Sequence, residues 1–236
     1  MNARNSRILL ISDLHVPYEH QDAFKFLAAL KKKYNPTRVI CLGDEVDSHA
    51  MSFHDSDPDL PSAGDELTAA VKKLKILYKM FDEVDIIDSN HGSMIARKAK
   101  HFGISMKYIR DYSDFLEAPK GWKWHNDMLI PLPNGNKLYL HHGLAKNAMK
   151  VVAARGVCYA QGHFHESFDI GYMGNPASLL WGMSCGCLVN NKSMAFAYNR
   201  TNLGRPIIGT GLVIDSLPKL APMVLTKNGR WSGVVP

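Results

Sequence analysis

Residues 37–47 read TRVICLGDEVD. Val39 to Leu42 form an unbroken apolar run that stops at Gly43-Asp44. A short, β-branched apolar run bounded by Gly reads as a strand buried on both faces. Asp44, Glu45 and Asp47 stand at its C-terminal end. Alone, such an ending reads equally well as a turn with a capping Asp. The neighbouring segments decide between the two.

Strand and helix signals alternate on either side. RILLISD (7–13) is a strand ending in Asp. Residues 20–34, HQDAFKFLAALKKKY, place Phe24, Leu27, Ala28 and Leu30 at helical spacing and stop before Asn35-Pro36. Ala63 to Phe81 reads as a long helix with Leu67, Val71, Leu74 and Leu77 on one face. VDIIDSN is the next strand, and 93–116 holds two short helices broken near Gly103. KLYLHHG, a helix from Asn147 to Arg155, and the strand VCYAQGH follow. After Phe164 the runs FDIGYM, LLWGMS, MAFAYN, IIGTGLVI and PMVLTKNGRW read as antiparallel strands and hairpins, with Asn228-Gly229 a turn. The alternation predicts an α/β fold in one domain spanning 1–236. Its strand-rich C-terminal third is expected to complete a second sheet.

The strand ends carry the chemistry. They deliver Asp13-Leu14-His15, Gly43-Asp44-Glu45-Val46-Asp47, Asn90-His91, His141-His142-Gly143 and Gly162-His163-Phe164-His165. The C-terminal edge of an open α/β sheet is where ligand sites form. Each piece alone fits a cap, a turn or a surface. Five in order, all Asp, His or Asn, supply the oxygen and nitrogen donors that Mn, Fe and Zn accept.

Composition bounds the rest. Hydrophobic residues make up 46% of the 236, enough for a sizeable core, and no apolar run reaches membrane-span length. The opening MNARNSRILLISD has too short an apolar run for a signal peptide and reads as the first strand of a cytoplasmic protein. Cys41, Cys158, Cys185 and Cys187 lack zinc-knuckle spacing and read as reduced thiols. The formal charge of +6 suits a polyanionic partner. Lys31–Lys33 and the cations from Arg97 to Lys107 read first as solvated helix faces, so charge alone leaves nucleic-acid binding open.

The ordered set DLH, GDEVD, SNHG, HHG and GHFH resembles the calcineurin-like metallophosphoesterase superfamily, over roughly Ile8 to His165. The resemblance implies a four-layer α/β/β/α sandwich with two mixed β-sheets and two divalent metal ions. Manganese comes first, with Fe, Zn, Ni or Mg as the other ions such ligands take. Asp13, His15, Asp44 and His165 would hold one ion, and Asp44, Asn90, His142 and His163 the second, with Asp44 bridging. Within the His-His pair, residue 142 directly precedes Gly, as the family ligand does, and strand alternation turns His141 to the other face. A metal-bridging hydroxide would attack phosphorus, and His91 would protonate the leaving oxygen. Two positions depart from the pattern: Ser89 stands where the family has Gly, and Gly92 where it has an acid that orients the histidine. Asp47 is the expected substitute for that acid. His49 and His54, in the polar loop 47–64, are candidates for substrate phosphate.

The implied activity is phosphodiester hydrolysis, of nucleic acid or nucleotides. The alternatives are a phosphomonoesterase acting on a nucleotide, small phosphate or phosphoprotein, and a non-catalytic interaction module on the same fold. No membrane partner is expected.

Overall fold

The computed structural model describes residues 6–53, 59–174, 176–190, 192–193 and 205–236. His54, Asn175 and the predicted strand MAFAYN lie outside them.

The strand at the start of the chain shows why the fold has layers. In β1 (Arg7–Ile11), Leu9 and Ile11 face one core cluster, and Ile8 and Leu10 face another. β2 (Arg38–Cys41) and β3 (Val84–Ile87) divide in the same way, Val39, Cys41 and Ile86 against Ile40 and Ile87. Strands covered on both faces need apolar residues at every position, hence the continuous runs in the sequence. On one face lie α1 (Ala23–Tyr34), through Phe26, Leu27 and Leu30, and α2 (Ala63–Met80), through Val71, Leu74 and Leu77. The buried stripe of α1 therefore runs through Phe26, while Phe24 is only partly buried and Ala28 is exposed.

The first sheet has the order β11-β10-β1-β2-β3-β4, where β4 is Trp122–His125, β10 is Gly209–Ile214 and β11 is Leu217–Pro222. Strands β1 to β4 are parallel, and β10 and β11 are antiparallel additions. The second sheet runs β5-β6-β7-β9-β8: β5 is Met128–Pro131, β6 Lys137–Leu140, β7 Cys158–Gln161, β8 Phe168–Gly174 and β9 Leu179–Cys185. It is also mixed, with β6, β7 and β9 parallel. Its inner face meets the first sheet through Leu138, Leu140, Met183 and Cys185. α5 (Ala148–Arg155) packs against β7, β8 and β9, through Val151 and Val152. The expected α/β/β/α sandwich with two mixed sheets is what the chain forms.

One expectation is corrected. The C-terminal strands do not all complete the second sheet: β8 and β9 join it, but β10 and β11 extend the first. The outer edge of β1 would otherwise be an open row of unpaired backbone groups, and β10 closes it. β11 then becomes the edge strand, where Pro218 and Pro222 leave no ladder partner wanting. Leu225 and Trp231 form only an isolated bridge around the turn at Gly229. The broken helical stretch is α3 (Met94–His101), a 3₁₀ turn at Met106–Tyr108 and α4 (Tyr112–Phe115). No helix among the described residues is long and apolar enough to cross a membrane.

Candidate metal centre

The loops after β1 and β2 are laced together by their backbones. His15 N donates to the Asp44 carbonyl at 2.8 Å, Val16 N to that of Glu45 at 3.0 Å, and Asp47 N returns to Val16 at 3.0 Å. The lacing forces sharp turns. Asp13, His15, Asp44 and His163 all have positive φ, 47°, 50°, 49° and 66°. L-residues with side chains rarely adopt this conformation, and such residues concentrate at functional sites. Gly43, at φ 99°, has no room for a side chain: a Cβ would sit 2.6 Å from that of Ser89 and 2.9 Å from His142 Nδ1. Gly162 likewise leaves its space to the Asp13 carboxylate and the Ser12 hydroxyl, which hydrogen-bond each other.

These turns gather the predicted donors into two groups sharing one carboxylate. Asp13, His15, Asp44 and His165 form the first, and Asp44, His142 and His163 the second. In the first, His15 Nε2 lies 3.4 Å from Asp44 Oδ2 and 3.2 Å from His165 Nε2, which is 3.3 Å from Asp13 Oδ1. In the second, His142 Nε2 lies 3.3 Å from the same Asp44 Oδ2, 2.7 Å from Asn90 Oδ1 and 3.1 Å from His163 Nδ1. Asp13, His15, Asp44 and His142 are buried. His141 is turned away, accepting from Gly143 N at 3.0 Å and lying beside the Tyr139 ring.

The hydrogen bonds on the far side of the rings set which nitrogens face inward. His15 Nδ1 donates to Asp47 Oδ1 at 2.6 Å, and His142 Nδ1 to the Leu42 carbonyl at 2.8 Å. With the Nε2 proton removed, each ring presents a lone pair to carboxylate, amide-oxygen and imidazole acceptors. Acceptors converging on acceptors in a buried site call for a cation, and such outer hydrogen bonds are how metal-binding histidines are oriented. The charge balance agrees. Burial pulls the His142 imidazole down, yet Asp44 and Asp13 carry it up to about 9. Burial likewise opposes charge on Asp44, but His142 and His91 hold its carboxyl well below the usual range. The carboxylates that draw a proton to this buried site would also attract a divalent cation. The residues therefore fit a pair of divalent metals.

Asp47 is close to His91, but not in the way expected. Its Oδ1 is engaged by His15, and it is the Asp47 main-chain carbonyl that accepts the hydrogen bond from His91 Nδ1. Asp47 Oδ1 itself is 3.8 Å from His91 Nδ1. His91 Nε2 then points to the centre, 4.0 Å from Asp44 Oδ2, and the His91 main-chain N–H donates to Asp44 Oδ1 at 3.2 Å. His15, Asp47 and His91 also make a third group close enough to hold an ion. His49 belongs to none of the three; its N–H donates to Glu66 Oε1 at 2.8 Å, and its Nδ1 is 3.9 Å from Asp47 Oδ2.

Three contributors were not foreseen. Ser89 Oγ accepts from both Asp44 N (3.1 Å) and Gly92 N (3.0 Å), pinning the Asn-His loop to the Asp44 turn. The serine in place of glycine was the visible signal. Glu66, buried on α2, clamps the N–H groups of His49 and Ala50. Arg97 donates to the Asn90 carbonyl at 2.5 Å. Neither of these two has a local sequence signature.

A family model of calcineurin-like phosphoesterases matches residues 6–176, most of the chain. No curated protein matches. Among solved structures, vacuolar protein sorting 29 from Cryptosporidium parvum is similar at 14% identity and a TM-score of 0.49, over 96% of this chain and 94% of that one. YfcE, a phosphoesterase from E. coli, is similar at 14% identity and a TM-score of 0.47, over 96% and 97%. A metallophosphoesterase from Sphaerobacter thermophilus gives 14% identity and a TM-score of 0.45, over 92% and 87%. The chain belongs to the calcineurin-like phosphoesterase family.

Proposed function

We propose that this member of the calcineurin-like phosphoesterase family hydrolyses phosphodiesters, of nucleic acid or nucleotides, with two divalent metal ions for which Asp44 would be a ligand. The carrying observation is the convergence of two donor groups on that one carboxylate. Asp13, His15 and His165 would hold one ion, and Asn90, His142 and His163 the other. Two divalent ions bound there, manganese first, would supply a lowered water pKa for the nucleophile and positive charge for the phosphoryl oxygens.

The chain's own residues do the rest. Asp47 and the Leu42 carbonyl lock the tautomers of His15 and His142. The Asp47 carbonyl turns His91 so that Nε2 faces the centre and can give a proton to the leaving oxygen. Four free, buried cysteines support a reducing compartment, and with it the cytoplasm.

The test is a comparison of bis(p-nitrophenyl) phosphate and p-nitrophenyl phosphate with manganese-loaded protein of measured metal content. Faster turnover of the diester is expected. Turnover of the monoester alone would make the chain a phosphomonoesterase. No turnover of either, with two ions bound, would favour the non-catalytic interaction module.

A further inference from the structure

The chain's charge excess is concentrated beside the centre. Residues 89–110 contain Arg97, Lys98, Lys100, Lys107 and Arg110, and no Asp or Glu. Removing these five from the 28 basic residues leaves 23 against 22 acidic ones, so the rest of the chain is nearly neutral. Among the described residues, none of the five is ion-paired with a carboxylate. The segment starts at the Ser89-Asn90-His91 loop itself, and Arg97 holds the Asn90 carbonyl.

Aromatic rings are interleaved with these cations. Tyr108 is 85% exposed and Phe102 70%. The ring of Phe53, also exposed, lies 5.4 Å from the Arg97 guanidinium and 5.3 Å from Lys98 Nζ. Tyr108 and Arg110 also line an apolar cavity of about 390 Å³ between α2 and this segment. Its wall includes Val16, Val46 and Ser48, the chain neighbours of His15 and Asp47. A solvated helix face explains the lysines but not large rings left in water among them. Cations that track a phosphate backbone, with aromatic faces for unstacked bases, are the two parts of a single-strand binding surface.

We propose that residues 94–110, with Phe53, form a shelf that holds single-stranded polynucleotide and feeds it to the centre. The proposal rests on the phosphodiester reading, whose substrate class it narrows. Single strands fit better than duplex because their bases are free to stack on Phe102 and Tyr108.

The test is fluorescence anisotropy with labelled 20-residue oligothymidylate, oligouridylate and a duplex of equal length, across a salt series. Single strands should bind more tightly than duplex, with log affinity falling linearly in log salt. The two oligomers tell whether DNA or RNA is preferred. The triple variant Lys98→Gln/Lys100→Gln/Lys107→Gln should flatten that slope by about 2, at roughly 0.7 per phosphate contact. Tyr108→Ala should weaken single-strand binding by roughly 5- to 150-fold, the usual range for one stacked base. Unchanged melting temperatures establish that the variants fold. Equal binding of duplex, an unchanged salt slope, or wild-type affinity in Tyr108→Ala would each overturn the shelf. Hydrolysis of bis(p-nitrophenyl) phosphate by the wild type is scored separately. Turnover without strand binding sinks the shelf alone, and strand binding without turnover sinks the phosphodiesterase reading alone.

Discussion

Replacing His91 with Ala removes a ring that the structure ties to the protein at one atom, Nδ1, and leaves facing the centre at the other. The main-chain N–H that reaches Asp44 survives the substitution. Among the proposed ligands, His15 keeps Asp47 Oδ1 and His142 keeps the Leu42 carbonyl, while Asp44 loses a ring nitrogen 4.0 Å away. The ring is 19% exposed, so the void opens toward solvent and the fold should tolerate it. What disappears is proton delivery to the leaving oxygen. General acid assistance is worth about 10²–10⁴ in rate, which is about 2.7–5.5 kcal/mol on the barrier. The assay is turnover of a series of diesters with leaving groups from p-nitrophenolate to simple alkoxides, with metal content measured on the same samples. The loss should be smallest for p-nitrophenolate, which leaves without a proton, and approach the full range for alkoxides. Both metals should stay. A loss of equal size across the series would refute the acid role. Loss of an ion together with activity would assign His91 to the third donor group, with His15 and Asp47.

Asp47→Asn keeps the carbonyl to His91 but deprives His15 of its charged partner; metal affinity should fall about 10- to 100-fold, and an unchanged calorimetric titration would remove Asp47 from that role. Gly162→Ala puts a methyl group into the Asp13 carboxylate; metal analysis should find the Asp13 ion depleted, and two retained ions would contradict the packing argument. Asp22 accepts two hydrogen bonds from Arg230 at 2.7 Å, and this pairing holds its carboxyl well below the usual range. Because the folded pKa is depressed, the pair's contribution is full above the unfolded value of about 4 and fades as pH falls below it. The stability gap between wild type and Asp22→Asn should therefore close in acid, and a gap that stays constant down to low pH would show the carboxylate's charge to be irrelevant.

Much of the sandwich was legible because β1, β2 and β3 are covered on both faces. Apart from Arg7, Arg38 and Asp85 their residues are apolar, and the proposed ligands follow where the apolar run stops. β4, β5 and β11 were not legible. The WKWH run of β4 mixes Lys and His into an edge strand whose Trp122 is buried and whose Trp124 donates to Glu45. β5 and β11 carry prolines, which argue against a strand except at an edge, where both lie. The placing of β10 was hidden for another reason: nothing in its own residues says which sheet has a free edge. At the site, side-chain types showed which residues come together. They did not show that Glu66 reaches across from α2, or that Asp47 meets His91 through its backbone, because every residue owns the same carbonyl.

That last contact has a consequence for how such chains are compared and dissected. A carbonyl is not encoded by the residue that bears it, so whatever holds His91 in place survives any exchange at position 47 that keeps the loop's course. Side-chain scanning is blind to it. An amide-to-ester replacement of the 47–48 peptide link, which weakens the carbonyl as an acceptor, would expose it. With Gly92 after Asn-His, His91 is held all the same, because the Asp47 main-chain carbonyl accepts from its Nδ1.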